Sequence, residues 1–479
     1  MDPVDALLKK YWGYTSFLPH QQEIIRSVLD GRDTVAIMAT GGGKSLCYQL
    51  PALYLGGLAI VVSPLISLMK DQVDDLNLRG IAAAAYTSTL TYLEKAEIRR
   101  QLSENTLRIL FLSPEKSMQP DFLRSLAHLQ VHLIAIDEAH CISEWGHDFR
   151  PEYRHLSRLK RRFPDVPVIA LTATATPEVR MDISRQLGLS DACEFVGSFN
   201  RTNLLYRVIP KTNPMALLLS YINRHRNESG IVYCFSKKNT EELSRQLQKY
   251  GYQALPYHAG LPKKEREEVQ ERFVHDRVQI VCATVAFGMG IDKPDVRYVV
   301  HYNMPKTLES YYQETGRAGR DGKSSECVLF YSPEDADMLR SMLDRDAPGA
   351  PHRRAALTKL DAMVRYCETT GCRRKYLLKY FGEEYVVENC NLCDNCLRLT
   401  PEDTELFLSL KALRKEIANN TSKPASNIFS DKSLQEMART RPRDRESFRQ
   451  ISGVGKIKLE KYGPAFLTAI YEYMQERDP

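Results

Sequence analysis

The stretch VAIMATGGGKSLCYQ, Val35 to Gln49, runs from a β-branched apolar segment into three glycines, a lysine and a serine, then opens an apolar helical pattern. A strand that ends where a helix begins, with only a tight turn between, is the repeating unit of a parallel α/β sheet. Gly41, Gly42 and Gly43 allow that turn, so that successive N–H groups and the next helix's N-terminus face one point. Such an array, with Thr40 beside it, suits the β- and γ-phosphates of a nucleoside triphosphate. Lys44 adds a point charge there, and Ser45 would place its hydroxyl on Mg²⁺. The strict GxxxxGK[ST] pattern is broken at its first glycine, which falls on Met38. Taken alone, the stretch leaves open a glycine-rich turn that binds no phosphate.

A partner for the loop lies about ninety residues on. VHLIAIDEAH, Val131 to His140, is a buried-strand pattern ending on two carboxylates. An ordinary polar strand end would look the same. Next to a phosphate loop, Asp137 would hold Mg²⁺ and Glu138 would polarise the attacking water. Strands and amphipathic helices alternate from Thr34 to about Gly197, and the alternation restarts from about Asn213 to Tyr331, which predicts two parallel-sheet lobes with a cleft between them. Ser198 to Val208 reads as the crossing. In the second lobe Arg317 and Arg320 stand three apart in YYQETGRAGRDG. Such arginines commonly form surface ion pairs, but in a two-lobed ATPase they reach the γ-phosphate, with Gln313 sensing it.

The 479 residues exceed one core, and three or more domains are expected. The absence of a long apolar run or a signal-like N-terminus predicts a soluble intracellular chain. Lys and Arg number 66 against 60 Asp and Glu, a mild excess that permits nucleic acid without requiring it. Cys390, Cys393 and Cys396 form C-x₂-C-x₂-C, and Cys372 precedes them by seventeen residues. Four soft thiolates suit structural, tetrahedral zinc, with a redox pair or an iron–sulfur cluster as the alternatives. Cys367 reads as a core residue.

Further motifs complete a series: Phe17 to Gln22, Val61 to Val73 (VVSPLISLMKDQV), Leu112 to Lys116, DEAH followed by CISEWGHDFRP, Ala170 to Thr176 (ALTATAT), Tyr257 to Leu261, and Ala283 to Arg297 (ATVAFGMGIDKPDVR). Over residues 1 to 396 the chain resembles the RecQ family of superfamily-2 DNA helicases. The resemblance implies two tandem RecA-like lobes (1–200 and 201–340), a small helical zinc-binding subdomain (341–398) and an all-α HRDC-like domain (402–479). It implies an ATP-dependent 3′-to-5′ helicase that uses Mg²⁺ and zinc on single-stranded and forked DNA in recombination and repair. A monomer without a membrane is expected. The short chain without long tails suggests a prokaryotic, cytoplasmic and nucleoid-associated protein. An RNA helicase and a non-catalytic DNA-binding scaffold are the rival readings.

By the same resemblance, Gln21 reads the adenine edge and Tyr14 stacks on its face. Leu18 stands where the family usually has an arginine. The loop after DEAH, with Trp145, His147, Phe149, Arg150, Tyr153 and Arg154, would sense unpaired bases and signal to the ATP site, whereas a bland reading makes it a satellite core. The chain departs from the family after the cysteines. A winged-helix module is expected there, yet Leu397 to Pro401 leads almost directly into the terminal helices. In these, the turn Gly453 to Gly455, with Lys456 and Lys458, either meets a phosphate or only joins helices.

Overall fold

A computed structural model of the chain describes residues 2–88, 90–126, 128–146, 148–288, 293–346, 350–398, 401–421 and 423–475. His147, and residues 289–292 of the segment Ala283 to Arg297, lie outside the described residues.

The first lobe is a seven-stranded sheet of β1 (Thr34–Ile37), β2 (Leu58–Val62), β3 (Ala83–Tyr86), β4 (Ile109–Leu112), β5 (Val131–Ile136), β6 (Val168–Thr172) and β7 (Cys193–Val196). Every pairing is parallel, in the order β3-β4-β2-β5-β6-β1-β7. A parallel sheet covered on both faces needs continuous apolar strands, and every residue of β1, β2, β4 and β6 is buried. Parallel strands also present all their C-terminal ends at one edge. The turn after β1 and the carboxylates after β5 therefore meet there, with only β6 between their strands. Two strands escape the sequence pattern: β3 is alanine-rich and β7 alternates half-buried and exposed residues at the sheet's margin.

The second lobe contains β8 (Leu204–Pro210), β9 (Ser229–Tyr233), β10 (Ala254–Tyr257), β11 (Ile280–Ala283), β12 (Val296–His301) and β13 (Ser325–Tyr331), in the order β10-β11-β9-β12-β13-β8. The sheet begins earlier than the strand alternation suggests. Leu204–Pro210, of which Leu204 to Val208 reads from sequence as part of the crossing, pairs with β13 in register from Ser325 opposite Leu204 to Tyr331 opposite Pro210. This leaves a crossing of only a few residues, and the helical region that follows holds it firmly. Phe199 stacks on Phe381 with ring centroids 4.7 Å apart. Glu383 accepts from the Ser198 hydroxyl and the Phe199 N–H, each at 2.6 Å.

That helical region comprises helices Ala350–Glu368 and Arg373–Tyr380 and a cysteine-rich knuckle. The knuckle extends the edge of the second sheet. The Tyr206 N–H donates to the Leu392 carbonyl at 3.2 Å and the Val208 N–H to Asp394 Oδ2 at 3.0 Å. Arg373 pairs with the same Asp394 at 2.5 Å. The terminal helices, among them Pro401–Thr421, Asp431–Thr440 and Gly463–Gln475, close around Phe429, Phe448 and Phe466. Their core is continuous with Leu205 of β8 and with Leu392 and Leu397 of the knuckle. The terminal domain is docked on the second lobe, with Gln435 donating to Asn391 Oδ1 at 2.9 Å.

Cutting the chain after Arg398 would bare Leu205, Leu392 and Leu397. Fully burying a side chain of this size contributes about 1.5–3 kcal/mol. The truncated chain should therefore melt several degrees below the full one in scanning calorimetry. Equal melting temperatures would show that the docking contributes nothing.

Candidate nucleotide site and cysteine cluster

Both lobes line one cavity of about 990 Å³. Thr40, Gly41, Gly43, Lys44, Ser45, Asp137 and Glu138 come from the first lobe, and Gln313, Arg317 and Arg320 from the second. Gly41 and Gly43 adopt φ of 83° and 71°, in the left-handed region that favours glycine. Ser45 immediately precedes the helix Leu46–Leu55 and leaves its hydroxyl out of any capping bond, so the turn opens onto a helix N-terminus as its composition suggests.

The charges of the cavity are interdependent. Burial lowers the Lys44 pKa, and the nearby Glu138 and Asp137 act against that shift. Burial, reinforced by the charge of Glu138, pushes the Asp137 carboxyl up to about 7. Asp137 Oδ2 accepts from Ser63 Oγ at 3.3 Å and Oδ1 from the Glu138 N–H at 3.0 Å. Lys44 Nζ donates to the Met38 carbonyl at 3.3 Å. A hard-oxygen set of Ser45 hydroxyl and Asp137 carboxylate fits Mg²⁺ chemically, since a divalent cation would offset the cost of ionising a carboxyl whose pKa is raised.

Glu138 is itself held in the left-handed region at φ 47°. Its Oε2 lies 3.3 Å from His140 Nδ1, which is 2.7 Å from Thr172 Oγ1 at the end of β6. Thr172 Oγ1 accepts from the Thr174 N–H at 3.3 Å, and Thr174 Oγ1 accepts from Gln313 Nε2 at 3.2 Å. A continuous polar path thus runs from Glu138 to the second lobe. Ser63, His140 and Thr172 were not singled out in the sequence, although all three lie within its recognised motifs.

Tyr14, Leu18 and Gln21 line the same cavity, and Tyr14 and Leu18 are exposed. The Gln21 amide is engaged by the protein. Its Oε1 accepts from the Leu18 N–H at 2.8 Å, and its Nε2 donates to the Gly43 carbonyl at 3.1 Å. In this form Gln21 braces the phosphate loop.

The residues after DEAH divide into two groups. Tyr153 is fully buried and donates from its hydroxyl to the Asp137 carbonyl at 3.0 Å, so it anchors the carboxylate strand and offers no face to a base. Trp145 is 54% exposed. Arg154 pairs with Glu144 at 2.5 Å and lies over the Phe149 ring. Arg150 ties the loop to the Pro64 carbonyl at 3.1 Å. His140, Glu144, Gly146, Asp148 and Arg150 line a second cavity of about 690 Å³ that reaches the second lobe. Gln313 and Arg317 line both cavities.

Outside the lining of these clefts, the thiol sulfurs of Cys372, Cys390, Cys393 and Cys396 lie within 4.8 Å of one another. Cys372 caps the helix Arg373–Tyr380, its sulfur accepting from the Lys375 N–H at 3.4 Å, and Cys390 accepts from the Leu392 N–H at 3.4 Å. Four converging thiolates fit tetrahedral zinc with no open position, which makes the site structural. Cys367 is buried outside the cluster.

The fold and the cleft define a two-lobed, RecA-like, ATP-dependent helicase. The DEAD/DEAH box helicase model matches residues 18–182 and the helicase conserved C-terminal domain 213–322. RecQ zinc-binding matches 333–397 and the HRDC domain 403–470, so only 398–402 separate the last two. The chain is 37% identical to the ATP-dependent DNA helicase RecQ of Haemophilus influenzae, covering 98% of this chain and 96% of that protein. Identity to its Bacillus subtilis namesake is 36%, covering 99% of each. The Pasteurella multocida namesake is 48% identical over 82% of this chain, and there the chain spans 62% of the relative's length. This chain belongs to the RecQ family of ATP-dependent DNA helicases. Solved structures share its fold: Saccharomyces cerevisiae Dbp5 bound to RNA (TM-score 0.57, 18% identity, covering 75% of this chain and 98% of that one) and Mycobacterium smegmatis Lhr bound to single-stranded DNA (0.54, 19%, 80% and 56%).

The alignment with the Haemophilus relative extends over 593 positions, more than the 479 residues of this chain. The relative therefore carries a stretch with no counterpart here. The passage from zinc-binding to HRDC segments falls where the family resemblance implies a winged-helix module.

Structural zinc sites contribute roughly 10–16 kcal/mol of binding energy that is also folding energy. Metal analysis should find one zinc per chain. Cys393→Ser should lose it together with folding yield, and iron, or no metal in the unsubstituted chain, would contradict the assignment.

Proposed function

We propose that this chain hydrolyses Mg²⁺-ATP to translocate 3′ to 5′ on single-stranded DNA and to open forked duplexes, acting as a monomer in recombination and repair. The site's two-lobed construction supports this most directly: Lys44, Asp137 and Glu138 share one cavity with Gln313, Arg317 and Arg320 of the other lobe. A bacterial cytoplasmic setting, associated with the nucleoid, accords with the bacterial relatives.

In this reading Lys44 and the N–H groups of Gly41 to Gly43 bind the β- and γ-phosphates. Ser45 and Asp137 hold Mg²⁺, which when bound neutralises charge on the phosphate oxygens. Glu138 orients and takes a proton from the attacking water. Arg317 and Arg320 meet charge that develops on the γ-phosphoryl group, and Gln313 reports its presence. Such cross-cleft arginines raise turnover by roughly 10³ to 10⁵. Tyr14, Leu18 and Gln21 surround the adenine, with Gln21 released from its loop contacts as the base enters.

Coupling to DNA runs through the loop after DEAH. Trp145 offers an exposed face for stacking, worth roughly 1–3 kcal/mol per base. Phe149, Arg150 and Arg154 hold the loop's shape, and Gln313 and Arg317 carry the signal because they border both cavities. His147 belongs to the same loop by its place in the sequence.

Lys44→Ala should lose nucleotide binding and turnover, whereas Glu138→Gln should keep ATP affinity and lose hydrolysis. Near-normal turnover by either variant with DNA present would refute these roles. Trp145→Ala should leave basal ATPase and melting temperature intact and reduce the stimulation by single-stranded DNA. If basal turnover, stimulation and stability fell together, Trp145 would be a packing residue.

A further inference from the structure

Arg201 lies in the short crossing between the lobes, does not line the nucleotide cavity, and nevertheless touches both of its walls. Its Nη1 donates to the Thr40 carbonyl at 3.3 Å and to the Gly316 carbonyl at 3.2 Å. Its Nη2 donates to the Ala318 carbonyl at 2.9 Å and the Gly319 carbonyl at 3.0 Å. Thr40 opens the phosphate loop. Gly316 to Gly319 is the turn that carries Arg317 and leads to Arg320.

The fit follows from the backbone. Carbonyls just past a helix C-terminus lack intrahelical donors and form its negative end. The turn after helix Leu308–Thr315 offers such carbonyls, and the planar guanidinium, with donors in a fixed fork, satisfies several at once. Contact between the two walls is tight. A Cβ added at Gly316 would lie 3.2 Å from Thr40 Cβ, and one at Gly41 would lie 3.7 Å from Arg320 Cγ. The crossing is in turn fixed from outside the cleft. Arg374, on the first zinc-bearing helix, donates to the Arg201 carbonyl at 2.7 Å and to Asn200 Oδ1 at 2.6 Å. Asn203 Nδ2 adds a bond to the Gly319 carbonyl at 2.8 Å.

We propose that Arg201 is a positioning residue for ATP hydrolysis: its guanidinium joins the phosphate loop to the turn bearing Arg317 and Arg320 and sets the register in which those arginines meet the γ-phosphate. The proposal rests on the ATPase reading above. It predicts a defect in turnover rather than in nucleotide binding, because Arg201 touches neither base nor phosphate. Displacement of a catalytic group by about 1 Å can cost about 10²-fold in rate. Lysine keeps the charge and the stem but offers a compact ammonium in place of the fork.

The test compares the full-length chain with Arg201→Lys and Arg201→Ala. The measurements are kcat and KM for ATP at saturating single-stranded DNA, affinity for a non-hydrolysable ATP analogue, and melting temperature. Both variants should lose about 10²-fold in kcat, while KM and analogue affinity stay within about threefold of the unsubstituted chain. Gly316→Ala should lower kcat in the same direction but to a smaller extent, since its Cβ would lie 3.2 Å from Thr40 Cβ and crowd the two walls. Full kcat in Arg201→Lys, or a loss confined to KM or to melting temperature with normal kcat per folded molecule, overturns the proposal. An unsubstituted chain without DNA-stimulated turnover overturns the functional reading and this inference with it. An active chain with indifferent Arg201 variants overturns this inference alone.

Discussion

A half-buried lysine sharing one cavity with two half-buried carboxylates is the constraint around which the first lobe is arranged. Lys44, Asp137 and Glu138 would each be costly to bury alone, and the parallel sheet brings them together because β1 and β5 end at one edge. Their charges only partly offset one another. Asp137 stays raised to about 7, so a divalent cation and an anionic phosphate chain would offset charge in the cleft. The second lobe contributes cations of its own, and the cleft joins the two lobes into one chemical site.

The remaining parts of the chain keep these two walls in register. The crossing is short, stacked on Phe381 and held by Glu383 and Arg374, all from the helical region that carries the cysteines. That region continues the second sheet through Tyr206 and Val208 and shares a core with the terminal domain. A module that looks peripheral is thus in contact with the hinge of the ATPase. The terminal domain occupies the face of β8 and the knuckle directly, with no intervening module in the described residues.

Much of this was legible before the fold. Residues at strand C-termini and in glycine turns carry their chemistry within a few positions, so Lys44, Asp137 and the arginine pair were readable, as were the four cysteines from their spacing. Three kinds of feature were not. Alanine-rich β3 and marginal β7 lack a β-branched signature. Tyr153 stood among candidate base-stacking aromatics, but burial depends on what packs above it, and only the fold shows it bonded to the Asp137 carbonyl. Arg201 has no local pattern at all, because its partners are main-chain carbonyls 115 to 161 residues away. Gln21 shows a related effect: its amide is committed to the phosphate loop, a contact no motif encodes.

The central claim is that two lobes form one ATP site that answers to unpaired DNA. Its most direct test is steady-state ATP turnover by the full-length chain, at saturating Mg²⁺-ATP, as single-stranded DNA is titrated in. A saturable rise well above the DNA-free rate is predicted, with equal amounts of single-stranded RNA giving far less. A flat profile with DNA, or equal stimulation by RNA, would contradict it.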